Sequence, residues 1–170
     1  MIEMGMIAYY MGVEKDIIED LKCKSNEDLF DEIESLEEED IEMYDMDKLW
    51  DGLHFVLTGA SADKPIENNL LSEAIVGTAM FSKDKMSDYI AYIYPQRVSE
   101  ILYALDKCDI NEILSDFSPQ QLAEKEIYPN IWMEEDKDEL REELADEFNG
   151  IKEFYRNVSD EGKGVIVSIY

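Results

Sequence analysis

The chain has a single histidine, His54, and it lies in the most apolar window of a very acidic sequence, residues 47–59. On a helix advancing about 100° per residue, Asp47, Asp51, His54 and Thr58 fall within roughly 60° of one another. Steps of four, three and four residues make them one stripe. Leu49, Trp50, Leu53, Phe55, Val56 and Leu57 cover most of the remaining circumference, and a helix that is apolar nearly all round is a buried one. Two carboxylates and an imidazole on one side of such a helix could serve as acid–base groups or metal ligands. The simpler reading is structural. Asp51 and His54 at i and i+3 can pair, Asp47 near the start suits the helix dipole, and Thr58 can bond back to a carbonyl one turn earlier. Asp45 or Asp47 is the expected cap at the start of the helix, with Gly59 at its end.

A metal site is not indicated. No second histidine exists to share a zinc ion, and Cys23 and Cys108 stand at no ligand spacing. The acidic stretches contain no twelve-residue calcium loop with its glycine and final glutamate. No metal and no cofactor are therefore expected. Two further polar groups lie apart from the window. Tyr92 is on an aromatic strand, and Arg97, one of only three arginines, lies at the junction between that strand and a helix, where anion sites are often built. Asp51, His54, Thr58, Tyr92 and Arg97 together would make a polar site for a small molecule. An ion pair with one of the many carboxylates is the plainer role for Arg97.

Strands are expected over 4–10, 74–80, 89–94 and 165–170. The first lacks clean alternation, which implies that both its faces are covered. Gly12 is read as ending it, and Gly77 as a bulge or close contact within the second. Helices are expected over 13–22, from Ser25 to about 36, over 47–58, from Pro95 to about 107, over 110–117, from Pro119 onward and over 134–158. The last repeats Leu140, Leu144, Phe148, Ile151 and Tyr155 every three or four positions. Residues 60–69 read as a loop, 82–87 as a turn and 127–133 as an extended apolar segment. A strand at 165–170 needs a partner, and 4–10 or 89–94 can supply it. Together these elements imply an α+β fold in a single domain over 1–170, a small mixed or antiparallel sheet packed with several helices.

The composition constrains partners more than chemistry. The 42 acidic and 15 basic residues give a formal charge of −27. Such a surface repels nucleic-acid phosphates and anionic membranes, and serves either plain solubility or a basic protein partner. From Glu27 to Asp47 there are twelve acidic residues and no basic one, which reads as a solvated face or loop, or as a docking surface. The start of the chain shows no basic segment followed by an apolar run, and no apolar run is long enough to span a membrane. Two unpaired cysteines suit a reducing compartment. A cytoplasmic location is expected.

The segments Gly5-Met-Ile-Ala-Tyr-Tyr10, Leu49-Trp-Asp-Gly-Leu-His-Phe-Val-Leu-Thr-Gly59 and Ala74-Ile-Val-Gly77, with the junction at 92–98 and Ile127-Tyr-Pro129 followed by Trp132, resemble the bacterial YfbM-like family of unknown function, DUF1877. The resemblance covers almost the whole chain apart from the acidic stretch around 34–46. It implies a compact α+β fold and carries over no catalytic residue. Two functional readings follow from the residues: an acidic interaction protein, immunity-like toward a basic partner, or a small-molecule-binding protein or enzyme built around Asp51, His54 and Arg97.

Overall fold

The computed structural model describes residues 6–81 and 89–170. Five strands form one antiparallel sheet: β1 (Ala8–Val13), β2 (Met43–Asp47), β3 (Ala79–Met80), β4 (Tyr89–Ile93) and β5 (Gly164–Ile169). Their order is β2-β1-β5-β4-β3, so β5 lies at the centre and pairs with both β1 and β4. Both partners proposed for it from sequence are therefore used. Every residue of β5 is buried, because helices cover the two faces of the sheet.

Side chains of β1, β4 and β5 divide between those faces by the two-residue period of a strand. Met11, Val13, Ile90 and Ile166 meet α1 (Lys15–Leu21) and α2 (Asn26–Glu37) through Ile18, Leu21, Leu29, Ile33 and Leu36. Tyr10, Ala91, Ile93, Val165, Val167 and Ile169 face a larger core. That core is closed by α3 (Trp50–Thr58), α4 (Leu70–Val76), α5 (Pro95–Asp106), α6 (Ile110–Ile113), α7 (Pro119–Glu124) and α8 (Lys137–Asp160). The predicted inward row of α8 is buried in full, and Phe154 and Val158 extend it. Each such side chain contributes about 1.5–3 kcal/mol by leaving water. Ser25 caps α2 and Asp136 caps α8 through side-chain bonds to the first-turn amides.

Several boundaries differ from the sequence reading, each for a local reason. β1 runs to Val13, so Gly12 lies inside the strand. A β-carbon there would come 2.8 Å from Val158 Cγ2, and glycine lets the end of α8 lie against the strand. The helix expected from residue 47 begins at Trp50, with Leu49 rather than an aspartate at its cap. Asp47 instead ends β2 in the left-handed region at φ 59°, its N–H held at 2.8 Å by Asp45 Oδ1. Gly59 ends α3 in the left-handed conformation, as predicted. The acidic stretch around 34–46 is neither all helix nor all loop: its last residues form the edge strand β2.

The expected strand over 74–80 is the largest correction. Asn69 accepts the N–H of Ser72 and starts α4, which runs through Val76. Only Ala79 and Met80 are strand, after Gly77 turns the chain at φ 89°. A short apolar run suits a buried strand and a buried helix equally, and the deciding groups lie elsewhere. The carbonyls of Ala74, Ile75 and Val76 would be orphans at the helix end. They accept the hydroxyls of Tyr155 at 2.6 Å, Tyr10 at 2.7 Å and Tyr89 at 2.7 Å respectively. Three tyrosines from α8, β1 and β4 thus make a buried helix terminus affordable in hydrogen-bond terms. The turn expected at 82–87 lies outside the described residues.

Candidate functional site

The polar stripe of the central helix contracts to Asp51, His54 and Thr58 once Asp47 belongs to β2. Asp51 is buried. Its carboxylate accepts the Ala62 N–H at 2.7 Å, the Tyr128 N–H at 2.9 Å and the Ser61 hydroxyl at 3.2 Å. It therefore binds two loops, 60–69 and 127–133, to α3. His54 is fully buried, and its ring spans a different gap. Nδ1 donates to the Ala60 carbonyl at 2.7 Å, which leaves Nε2 to accept the Ser72 hydroxyl at 2.8 Å. Ser72 Oγ in turn accepts the Ile66 N–H at 3.1 Å. Burial pulls the His54 pKa below its ordinary value, against the opposing pull of the Ala60 carbonyl and the Asp51 charge, so the neutral ring is the native one. Thr58 bonds back to the His54 carbonyl at 2.8 Å, as its position predicts.

Ser72 and His54 have the spacing of a nucleophile and its base. The surroundings argue for a different use. Ser72 is 1% exposed, and its oxygen is already aimed by His54 on one side and the Ile66 amide on the other. The pair closes a loop against two helices. A groove of about 380 Å³ lies elsewhere, and another of about 510 Å³ borders Ser72 between residues 65–68 and 76–80. At the second groove Ser72, Glu73, Thr78 and Tyr89 are engaged internally, and Glu67 and Asn68 are exposed at its rim. Glu73 is held by Arg97 at 2.9 Å and 2.5 Å and by the Thr78 hydroxyl at 2.8 Å. Burial opposes its charge, but these donors outweigh burial and lower its pKa. Arg97 also meets Glu100 at 2.6 Å, so an incoming anion would compete with two carboxylates.

The six candidate residues are thus brought together only in part. Asp51, His54 and Thr58 share one network. Arg97 is joined to Ser72's neighbour Glu73 on α4. Tyr92 points to the opposite face of the sheet, among Phe81 and Tyr94 and beneath the Lys22 ammonium. The alternation of β4 puts it there, one residue out of phase with Ala91 and Ile93. Asp47 faces solvent at the other end of the molecule's sheet edge.

There it joins groups that sequence reasoning passed over. Met46, Asp47, Lys48 and Leu49 line the 380 Å³ groove with Glu135, Glu143, Asp146 and Glu147. Burial and neighbouring carboxylates raise the Glu143 pKa. They push Glu147 up to about 7, burial first and then Asp47, Asp45 and Asp146, against the opposing donation from Tyr44. Among the described residues no three His, Cys, Asp or Glu side chains converge on a point where a metal ion could sit. The carboxylates are spread around the groove. The signal in the sequence is faint: Glu143, Asp146 and Glu147 lie on one side of α8 at helical spacing, but β2 opposite them reads as part of an acidic run.

The central sheet with helices on both faces defines an α+β protein. The family model described as "Domain of unknown function (DUF1877)" matches residues 4–168. The chain is 33% identical over 133 residues to protein YfbM of Escherichia coli strain K12, covering 78% of each chain. The crystal structure of that Escherichia coli protein of unknown function superposes with a TM-score of 0.77 at 26% identity, over 96% of this chain and 99% of the other. The chain belongs to the DUF1877 family. Among the described residues no helix is long and apolar enough to cross a membrane.

Proposed function

We propose that this protein is an interaction protein that docks a basic protein partner on the acidic face built by β2 and α8. The observation that carries this reading is the ring of carboxylates at the 380 Å³ groove, where Lys48 is the only cation among the lining residues. Burial, reinforced by the neighbouring carboxylates, makes Glu143 and Glu147 hold protons more tightly than usual. A cationic side chain placed there relieves the repulsion among the carboxylates. The formal charge of −27 adds long-range steering of a basic partner. The saturated bonding around His54 supports the same choice over an enzyme. Cys23 and Cys108, both free thiols, suit the reducing cytoplasm.

The test must separate a localised face from general acidity. An arginine-rich polypeptide is titrated into the full chain and into two triple variants. One carries Asp47→Lys, Glu143→Lys and Asp146→Lys; the other carries Glu27→Lys, Asp31→Lys and Glu34→Lys on exposed α2. Both change the net charge equally. The first is expected to weaken binding about tenfold more than the second, with a shallower salt dependence. Equal weakening by both would overturn the localised face.

A further inference from the structure

Glu147 lies where α8 passes the edge strand β2. Its Oε1 accepts the Tyr44 hydroxyl at 2.9 Å. Its Oε2 is closed off from solvent and has no hydrogen-bond partner. Tyr44 can lie across α8 only because residue 150 is glycine: a β-carbon there would overlap the Tyr44 hydroxyl and ring. The charged and titratable groups around Glu147 come from every neighbouring element. β2 supplies Tyr44, Asp45 and Asp47, α8 supplies Glu143 and Asp146, and Lys48 and Glu135 complete the groove.

We infer that the Tyr44–Glu147 contact is a proton-operated latch between β2 and α8, closed while Glu147 is a neutral carboxylic acid and loosened when it ionises. Oε2 has no protein partner in the closed arrangement in either protonation state, and leaving it so costs far more for the ionised oxygen than for a neutral acid. Ionisation also adds a negative charge beside Asp45, Asp47 and Asp146. The Tyr44 bond favours the ionised form, but burial outweighs it. Water reaches Oε2 when the carboxylate swings toward the groove or when Tyr44 lifts from Gly150. Either movement removes the polar tie between Tyr44 and α8, while Met46 stays buried in the shared core and Asn157 still donates to Glu42, just before β2, at 2.9 Å.

The direction of the pH effect follows from linkage. The Glu147 pKa is raised in the folded chain from 4.5 to about 7. The unfolded chain therefore loses this proton first, and stability falls as pH rises across that interval. The contribution is whole below 4.5 and lost above about 7. His54 acts in the opposite sense. Its lowered pKa means that stability is lost as pH falls below 6.5, the ordinary value. A comparison with Glu147→Gln removes the His54 slope from the reading.

The experiment uses the full chain with carbon-13-labelled glutamate. The side-chain resonance lost in Glu147→Gln is expected to titrate with a midpoint near 7; a midpoint below about 5, the ordinary carboxylate range, would overturn the inference. Amide exchange at Tyr44, whose N–H faces β1, corrected for intrinsic rates, is then read from about pH 6 to about pH 8. Protection is expected to drop about tenfold in the wild type and to stay level in Glu147→Gln. An equal drop in both would sink the latch even if the midpoint is high. Tyr44→Phe supplies an independent sign: losing a donor to the ionised form moves the midpoint upward, and a downward move contradicts the contact. The free protein alone is measured, so the result is separate from whether a basic partner binds.

Discussion

The knot around His54 and the acidic face around Glu147 both hold polar groups against apolar elements, yet their bonding differs in kind. At the knot every functional atom has a complementary partner: Asp51 meets two amides and a hydroxyl, and both His54 nitrogens are bonded. At the face one carboxylate oxygen is buried without a partner, and the surrounding charges are negative apart from Lys48. A saturated network lowers the energy of one conformation and has little left to offer a ligand. An unsatisfied one is higher in energy than it would be with a cation beside it. The lone histidine drew attention from sequence because its type is rare. The more available chemistry lies with glutamate, the least conspicuous residue in an acidic chain.

The comparison breaks most readily at Asp51. Asp51→Ala leaves the Ala62 and Tyr128 amides unpaired beneath two loops, and a loss of about 3–4 kcal/mol is expected in urea unfolding. His54→Ala should be similar, at about 2–4 kcal/mol, from a cavity and an orphaned Ser72. Unchanged stability in either would remove the structural reading of the knot. Tyr155→Phe tests the same saturation one layer deeper. It leaves the Ala74 carbonyl without its donor, at a cost of about 1–2 kcal/mol. The thermal midpoint of that variant should fall while the far-ultraviolet dichroism stays native. The smallest effect belongs to the acidic face. Asp146→Lys, exposed and surrounded by carboxylates, should change stability by no more than about 0.5 kcal/mol, with a slight gain at low salt. A loss above about 2 kcal/mol there would mean that the face, too, is structural.

Much of the architecture was legible because it rests on periodicity. The α8 row from Leu140 to Tyr155, the α2 cap at Ser25, Pro95 at the start of α5 and Gly59 at the end of α3 are local signals, and each stands where expected. The family resemblance agreed with them. What was not legible depended on partners distant in sequence. Ala74-Ile-Val76 reads as strand until three tyrosines, from positions 10, 89 and 155, reach its carbonyls. Met43–Asp47 reads as part of an acidic run until β1 pairs with it. The stripe at 47–58 holds for three of its four members: Asp51, His54 and Thr58 sit on a helix, but Asp47 is spent turning the chain out of β2. Tyr92 and Arg97 are five residues apart and lie on different sides of the sheet, a separation fixed by strand phase and not by distance along the chain.

The position of β5 has a temporal consequence. It is the last strand in the sequence and the middle one in the sheet, so β1 and β4 have no common neighbour until residues 164–169 are present. A chain emerging from the ribosome can form α2 or the β1–β2 pair early, but the two halves of its sheet must wait for the final segment to bridge them. Such long-range pairing closes slowly. Until then the inner edges of β1 and β4 stay unpaired, and the dense negative charge carried by the first half of the chain keeps neighbouring nascent molecules apart during that interval.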